Sequence, residues 1–163
     1  MFNNELLKDL PIQKDERTKN YSLRALELSD FNQLYPILKQ LTKIGDPTLE
    51  KFTNRFNWMK KTGVYYVIVC YKNNKNELAG TATLIVEHKF IHECADRGRI
   101  EDVVVDVNHR GKALGKLLVE SCTELSKRIG CYKTTLECSV ENSGFYEKMG
   151  YKSSFEKYMV KRF

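Results

Sequence analysis

The chain has 163 residues, 42% hydrophobic and 11% aromatic, with a formal net charge of +6. That length suits one domain with a proper core and is short for two, and the composition argues against disorder. No apolar run approaches the roughly 18–20 residues of a membrane-spanning helix, and Met1-Phe2-Asn3-Asn4-Glu5 lacks the basic-then-apolar pattern of a secretory signal, so a soluble cytoplasmic protein is expected.

Residues 1–20 are polar, with no periodicity beyond Leu6, Leu7 and Leu10, and read as a loose arm or partner-docking segment. Tyr21 to Leu26 alternates like a first strand. Ser29 is the expected cap of a helix carrying Phe31, Leu34, Leu38 and Leu41 at helical spacing. Gly45-Asp46-Pro47 breaks it, and Thr48 starts a second helix with Phe52, Phe56 and Met59 on one side. Three strands are expected over 64–71, 78–87 and 100–107, the first two joined by an Asn-rich turn. A long helix follows, with Leu114, Leu118, Cys122, Leu125 and Ile129 in one stripe, and Gly130 ends it. A strand over 134–138, a short helix over 142–149 and a last strand over 158–162 complete the chain. This order predicts one α/β (α+β) domain.

The five cysteines, Cys70, Cys94, Cys122, Cys131 and Cys138, are odd in number and contain no C-x-x-C pair. They read as reduced, mostly buried thiols. The basic residues are spread along the chain and interleaved with acids; the dense clusters, Lys60-Lys61 and Lys161-Arg162, are short. The positive charge fits small phosphorylated ligands as well as a polynucleotide.

The most informative stretch runs from Val103 to Val119, where a strand enters the basic loop Asn108-His109-Arg110-Gly111-Lys112-Ala113 and opens directly into the long helix. Unpaired N–H groups at a helix start, with the positive end of its dipole, make a site for phosphate. Arg110, Lys112 and Lys116 would add charge. A P-loop is excluded, because Leu117 stands where a Ser or Thr should hold magnesium and the glycines are too close. G-x-G-x-x-G is absent as well. An ordinary strand–loop–helix corner, with glycine serving a turn, is the bland alternative.

Arg110-Gly111-Lys112-Ala113-Leu114-Gly115 resembles the [Q/R]-x-x-G-x-[G/A] loop of the GNAT acetyltransferase superfamily, whose backbone amides bind the diphosphate of acetyl-CoA. Ala113 stands where that family usually has glycine, and a negative φ there would keep the loop intact. The likeness continues through residues 21–163. His88-Lys89-Phe90-Ile91-His92, Ile100-Glu101-Asp102-Val103-Val104-Val105, Cys131-Tyr132-Lys133, Leu136-Glu137-Cys138, Asn142-x-x-Phe145-Tyr146 and Lys161-Arg162-Phe163 resemble the glucosamine-6-phosphate N-acetyltransferases.

That resemblance implies a GNAT fold with a mixed sheet of about six to seven strands, preceded by the arm at 1–20. It implies acetyl transfer from acetyl-CoA to the 2-amino group of glucosamine 6-phosphate, toward UDP-N-acetylglucosamine, by a homodimer that needs no metal. Carried over by position, Thr42, Lys89, Phe90, Ile91, His92, Glu101, Asp102, Tyr132, Lys133 and Arg162 match the sugar-phosphate site. Val103, Val104, Val105, Arg110, Gly111, Lys112, Ala113, Leu114, Gly115 and Lys116 match the coenzyme cradle, with Asn142 and Tyr146 at its thiol end. Glu137 falls where some members carry Asp.

In such a reaction an amine attacks a thioester. Glu101 is the first candidate to take the proton, directly or through water, and Glu137 the second. A backbone N–H among Val103, Val104 and Val105 would meet the charge developing on the thioester oxygen. Tyr146 would donate to the departing thiolate. With reference pKa values of about 10 and about 8.5, full proton transfer from Tyr is uphill by roughly 2 kcal/mol, so hydrogen-bond donation is expected. Cys138 reads as an apolar thiol, with acyl-cysteine formation the alternative. His88-x-x-x-His92-x-Cys94 has metal-like spacing, with Asp96 as a further ligand, but no second paired cluster supports it. Acetylation of another amine, such as a polyamine or a protein N-terminus, and a basic RNA-binding domain are the competing functions. The anion-seeking Lys89, Lys133 and Arg162 speak against a polyamine, and the lack of RRM-like motifs speaks against RNA.

Overall fold

A computed structural model describes residues 1–12, 15–154 and 156–162. Five strands form one sheet in the order of the chain: β1 (Tyr21–Ala25), β2 (Tyr65–Lys72), β3 (Glu77–His88), β4 (Asp96–Val105) and β5 (Lys133–Leu136). The first four run antiparallel, and β5 lies parallel to β4. A parallel neighbour needs a crossover, and α4 (Leu114–Ile129) supplies it. Between β1 and β2 come α1 (Phe31–Leu38) and α2 (Leu49–Thr62); a single turn, α3 (Ile91–Cys94), links β3 to β4, and α5 (Val140–Glu147) follows β5.

The strand period explains the layers. On β2, Ile68 and Cys70 face the α4 side, while Val67 and Val69 face α1 and α2, so the whole run is buried. The stripe of α4 read from the sequence is the core-facing one: Leu118, Cys122 and Leu125 are fully buried. Each such leucine contributes about 1.5–3 kcal/mol. Gly98 lets α4 lie directly on β4, since a Cβ there would come within 2.1 Å of Ser126 Oγ. Ser126 in turn accepts from Thr134 Oγ1 at 2.8 Å, tying α4 to β5.

Four expectations change. Among the described residues the sheet has five strands rather than six to seven, because residues 158–162 form no strand and lie exposed. Ser29 does not cap α1; instead a 3-10 turn precedes it, in which Asp30 accepts from the Glu27 N–H at 2.8 Å. Buried Asp30 also takes two hydrogen bonds of 2.7 Å from Arg24, so the carboxylate is spent on fixing β1 to α1. The helix ends at Leu38 with Pro36 inside it, and Leu41 is exposed. Only Cys70 and Cys122 are buried, and burial pushes both thiols up to about 12; Cys94 and Cys138 are exposed. All five are free.

The first twelve residues are docked rather than loose. The Met1 ammonium donates to Leu26 O at 3.0 Å, and Asn4 Oδ1 accepts from the Ala25 N–H at 2.7 Å. Arg128 on α4 donates to the carbonyls of Leu6, Lys8 and Asp9. Phe2, Leu6 and Leu7 pack on the α4-side core.

Candidate active site

The site is organised by a bulge in β4. Thr81 pairs with Val104 but Thr83 pairs with Glu101, so Asp102 and Val103 together oppose a single residue of β3. Asp102 takes the left-handed φ of 52° that this geometry imposes. One extra residue reverses the alternation: Ile100 faces the α4 core, and after the bulge it is Val103 and Val105 that do so, with Val104 turned to the other core. The pairing of β4 with β5 stops at Ile100 and Leu136, so the two strands part beyond the bulge. The Asp106 N–H donates to Ala79 O on β3, and alternation therefore aims the N–H groups of Val105 and Val103 into the gap toward β5. This is a slot edged with backbone donors.

The phosphate loop closes one end of the slot. Asp106 caps a 3-10 turn, Val107–His109, and Arg110 Nε returns to Val105 O at 3.2 Å. Gly111 follows at φ 77° and Ala113 at φ 58°, immediately before the first turn of α4. Ala113 thus departs from the negative φ expected of it. The cost is about 1–2 kcal/mol, and it explains why glycine suits this place better. The two left-handed residues turn the loop into the start of α4, where unpaired N–H groups and the positive end of the helix dipole suit an anion. The space beside Gly111 is open: a Cβ there would meet no atom within 4 Å.

Two residues that the sequence did not single out hold the loop. His109 is 5% exposed; Tyr21 Oη lies 3.0 Å from its Nδ1, and Glu77 lies 3.5 Å from its Nε2. Gln40, just past α1, donates to Asp106 at 2.8 Å and accepts from the Val107 N–H at 2.9 Å. Thr42, two residues on, is exposed, its N–H on Leu38 O.

At the other end, Gly115 allows α5 to close on the helix start: a Cβ there would lie 3.3 Å from Phe145. Tyr146 packs beside Phe145 and Tyr151 and against the α4-side core. Burial, then the neighbouring Cys138, raise the Tyr146 phenol above its ordinary value. A raised phenol pKa makes outright proton donation harder. Asn142 lies exposed on the first turn of the same helix, its N–H on Ser139 O.

The sheet face away from α4 carries the charges. Arg99 bridges the two candidate bases: it hydrogen-bonds Glu101, and its Nη2 reaches Glu137 Oε1 at 2.9 Å. Partial burial alone would lower the Arg99 pKa, but the Glu101 bond and the surrounding carboxylates outweigh it and raise it. Asp102 is raised, first by burial among the surrounding chain and then by the charge of Glu101; solvent on its exposed side limits the effect.

Lower on the same face Glu87 pairs with Lys89 and with Arg97 at 2.6 Å. Burial would raise Glu87, but these two hydrogen bonds prevail and hold it below the ordinary carboxylate range. Arg97 is the register partner of Lys133, whose ammonium lies over the Tyr132 ring. Tyr132 stacks on His92 with ring centres 4.5 Å apart. Lys89, Arg97 and Lys133 therefore form a cationic row with one carboxylate among them. From Lys133 to Glu137 is about 13 Å at the ordinary strand rise.

Of the expected residues, the structure gathers Lys89, His92, Glu101, Asp102, Tyr132, Lys133 and Glu137 around the β4–β5 junction. His92, Glu93 and Cys94 all have positive φ, a left-handed turn that leaves Phe90 97% exposed and Ile91 exposed. Arg162 is not brought in; it lies exposed on the segment after α5. His88 is paired with Asp96 at 2.7 Å, and among the described residues no three His, Cys, Asp or Glu side chains form a metal-holding group.

The acetyltransferase (GNAT) family profile matches residues 28–151. The chain belongs to that family. Within it, the chain is 43% identical over 136 residues to the glucosamine 6-phosphate N-acetyltransferase of Candida albicans, covering 82% of this chain and 91% of that one. It is 45% identical over 130 residues to the probable glucosamine 6-phosphate N-acetyltransferase of Drosophila melanogaster, covering 79% of this chain and 59% of the fly protein, so this match spans well under two thirds of its relative. The crystal structure of the glucosamine-6-phosphate N-acetyltransferase of Arabidopsis thaliana superposes with a TM-score of 0.84 at 39% identity, covering 89% of this chain and 99% of that one. As a GNAT protein, the chain has its phosphate loop and its parted β4 and β5 where an acetyl-CoA-dependent transferase needs them.

Proposed function

We propose that this protein transfers the acetyl group of acetyl-CoA to the 2-amino group of glucosamine 6-phosphate, in the cytoplasm, as a step toward UDP-N-acetylglucosamine. The observation that carries the reading is the cationic row Lys89, Arg97 and Lys133, which shares one face of the sheet with Glu101 and Glu137, four residues further along β4 and β5 from Arg97 and Lys133.

Acetyl-CoA supplies an activated acyl group on a thiolate leaving group. The chain's part is to place, deprotonate and stabilise. The loop amides at Gly111 to Gly115 hold a diphosphate, and the slot beside Val103 and Val105 accepts an extended arm. Lys133, with Arg97 and Lys89, takes the sugar phosphate through charge-assisted hydrogen bonds. Glu101 receives a proton from the incoming ammonium, through water or directly, while Arg99 keeps Glu101 and Glu137 oriented. The N–H of Val103 or Val105 meets the charge that builds on the thioester oxygen, and Tyr146 donates to the departing sulfur. The amine attacks in a ternary complex without an acyl-cysteine.

A homodimer fits the same reading. The predicted strand at 158–162 finds no place in its own sheet, and it exposes Tyr158 at 67% and Met159 at 88%. Paired with a second copy, it would cover these residues and carry Arg162 to the partner's acceptor face. The deciding experiment is thiol release from acetyl-CoA with glucosamine 6-phosphate, glucosamine and spermidine as acceptors. Turnover confined to the phosphorylated sugar is expected; turnover with spermidine alone would overturn the reading.

A further inference from the structure

A second cationic recess lies beside the phosphate loop, on the β1–β2 side, and nothing in the proposed chemistry uses it. It is lined by Arg17, Lys19, Tyr21, Lys72 and Lys112 together with Glu16 and Asn20. Three segments far apart in sequence build it: residues 16–21, which hold the 3-10 turn Glu16–Thr18 and the start of β1, the end of β2 where Lys72 faces Tyr21, and the loop itself. Some of its charge is committed. Arg17 binds Asp15 at 2.6 Å, and that pairing, through a side-chain hydrogen bond first and a backbone one second, holds the Asp15 carboxyl at about 2. Lys19 stands 3.7 Å from Glu16. Lys72 and Lys112 meet no carboxylate among the described residues; Lys112 lies over the Tyr21 ring and reaches Asn108 O at 3.4 Å.

We propose that this recess, built by the arm, β1–β2 and Lys112, binds the 3′-phosphate of the coenzyme's ribose. The inference rests on the coenzyme part of the reading above and not on the acceptor. Lys112 belongs both to the diphosphate loop and to the recess, and a nucleotide's 3′-phosphate is one ribose ring away from its diphosphate. Four cations stand against the carboxylates of Asp15 and Glu16, a surplus of two that matches the charge of about −1.5 to −2 on a phosphomonoester at neutral pH. The sugar phosphate is a poorer occupant: its amine must reach Glu101, and the strand order places β1 and β2 on the opposite side of the sheet from the β4–β5 junction. The arm thereby gains a task, since its Glu16–Thr18 turn lines the recess.

Calorimetric binding of coenzyme A and of 3′-dephospho-coenzyme A to the full chain tests this, alongside initial rates with their acetyl forms. The wild type is expected to bind coenzyme A about tenfold more tightly than the dephospho form. Lys72→Met should lose most of that difference by weakening only the phosphorylated coenzyme, and Lys72→Arg should keep it; Lys19→Met is the second variant should Lys72→Met fold poorly. Equal affinities in the wild type would overturn the inference, as would a difference that survives Lys72→Met, or a variant whose defect lies in KM for glucosamine 6-phosphate. Because binding needs no acceptor, a wrong acceptor leaves the calorimetry decisive, and a failed discrimination leaves the transfer activity standing.

Discussion

The two sides of the β4 bulge work through different parts of the chain. On the side proposed for the coenzyme the backbone is the instrument: amides of Gly111 to Gly115, the left-handed φ of Gly111 and Ala113, and the N–H groups of Val103 and Val105. On the acceptor side the side chains are, and each is held by another: Glu101 and Glu137 by Arg99, Glu87 by Arg97 and Lys89. The difference teaches where substitutions should matter. A changed side chain should be felt most on the acceptor face, whereas the loop should answer mainly to changes in backbone freedom.

The largest effect is expected from Glu101→Gln, which keeps shape and removes the proposed base. Steady-state kinetics should show kcat reduced on the order of 100-fold or more, with KM for acetyl-CoA little changed. If Glu137→Gln instead shows the larger loss, the two carboxylates exchange roles. Tyr146→Phe comes next: about a tenfold fall in kcat, exceeding any rise in KM for acetyl-CoA, because only the hydrogen bond to the leaving sulfur is removed. Unchanged turnover would remove Tyr146 from the chemistry.

The sequence showed the coenzyme side more clearly than the acceptor side, for a physical reason. A strand, a basic glycine loop and an amphipathic helix are contiguous, so the phosphate cradle can be read from Val103 to Val119 without knowing the fold. Arg99 could not be found this way: its bond to Glu137 spans 38 residues and exists only because β5 runs parallel to β4. Arg97 gains its meaning only from its register with Glu87 and Lys133, and His109 only from Tyr21 and Glu77. The cap at Ser29 failed because a buried Asp30, fixed by Arg24, competes for the same turn. The φ of Ala113 was misread because one methyl group does not reveal which side of φ the loop demands.

Smaller effects sharpen the contrast. Ala113→Gly should relieve left-handed strain at some cost in unfolded-state entropy, for a net gain of up to about 1 kcal/mol and roughly 2–4 °C in thermal midpoint. Thermal unfolding should show this gain with kcat retained; a loss of stability would mean that the loop does not keep this φ in solution. The smallest effect is acid sensitivity from Glu87. Its folded pKa lies below the ordinary 4.5, so its ion pairs contribute in full above that pH and are lost as pH falls through the folded value. Acid titration should show Glu87→Gln with a shallower loss of stability below about pH 4.5 than the wild type.

The central claim is that Lys133 and Arg97 read the acceptor's phosphate while the loop reads the coenzyme's. Measuring kcat/KM for glucosamine 6-phosphate and for glucosamine, in the wild type and in Lys133→Met/Arg97→Met, tests it most directly. The wild type should favour the phosphorylated sugar by about 100-fold or more, and the double variant should lose most of that preference with KM for acetyl-CoA unchanged. A preference that survives both substitutions, or a rise in KM confined to acetyl-CoA, would contradict it.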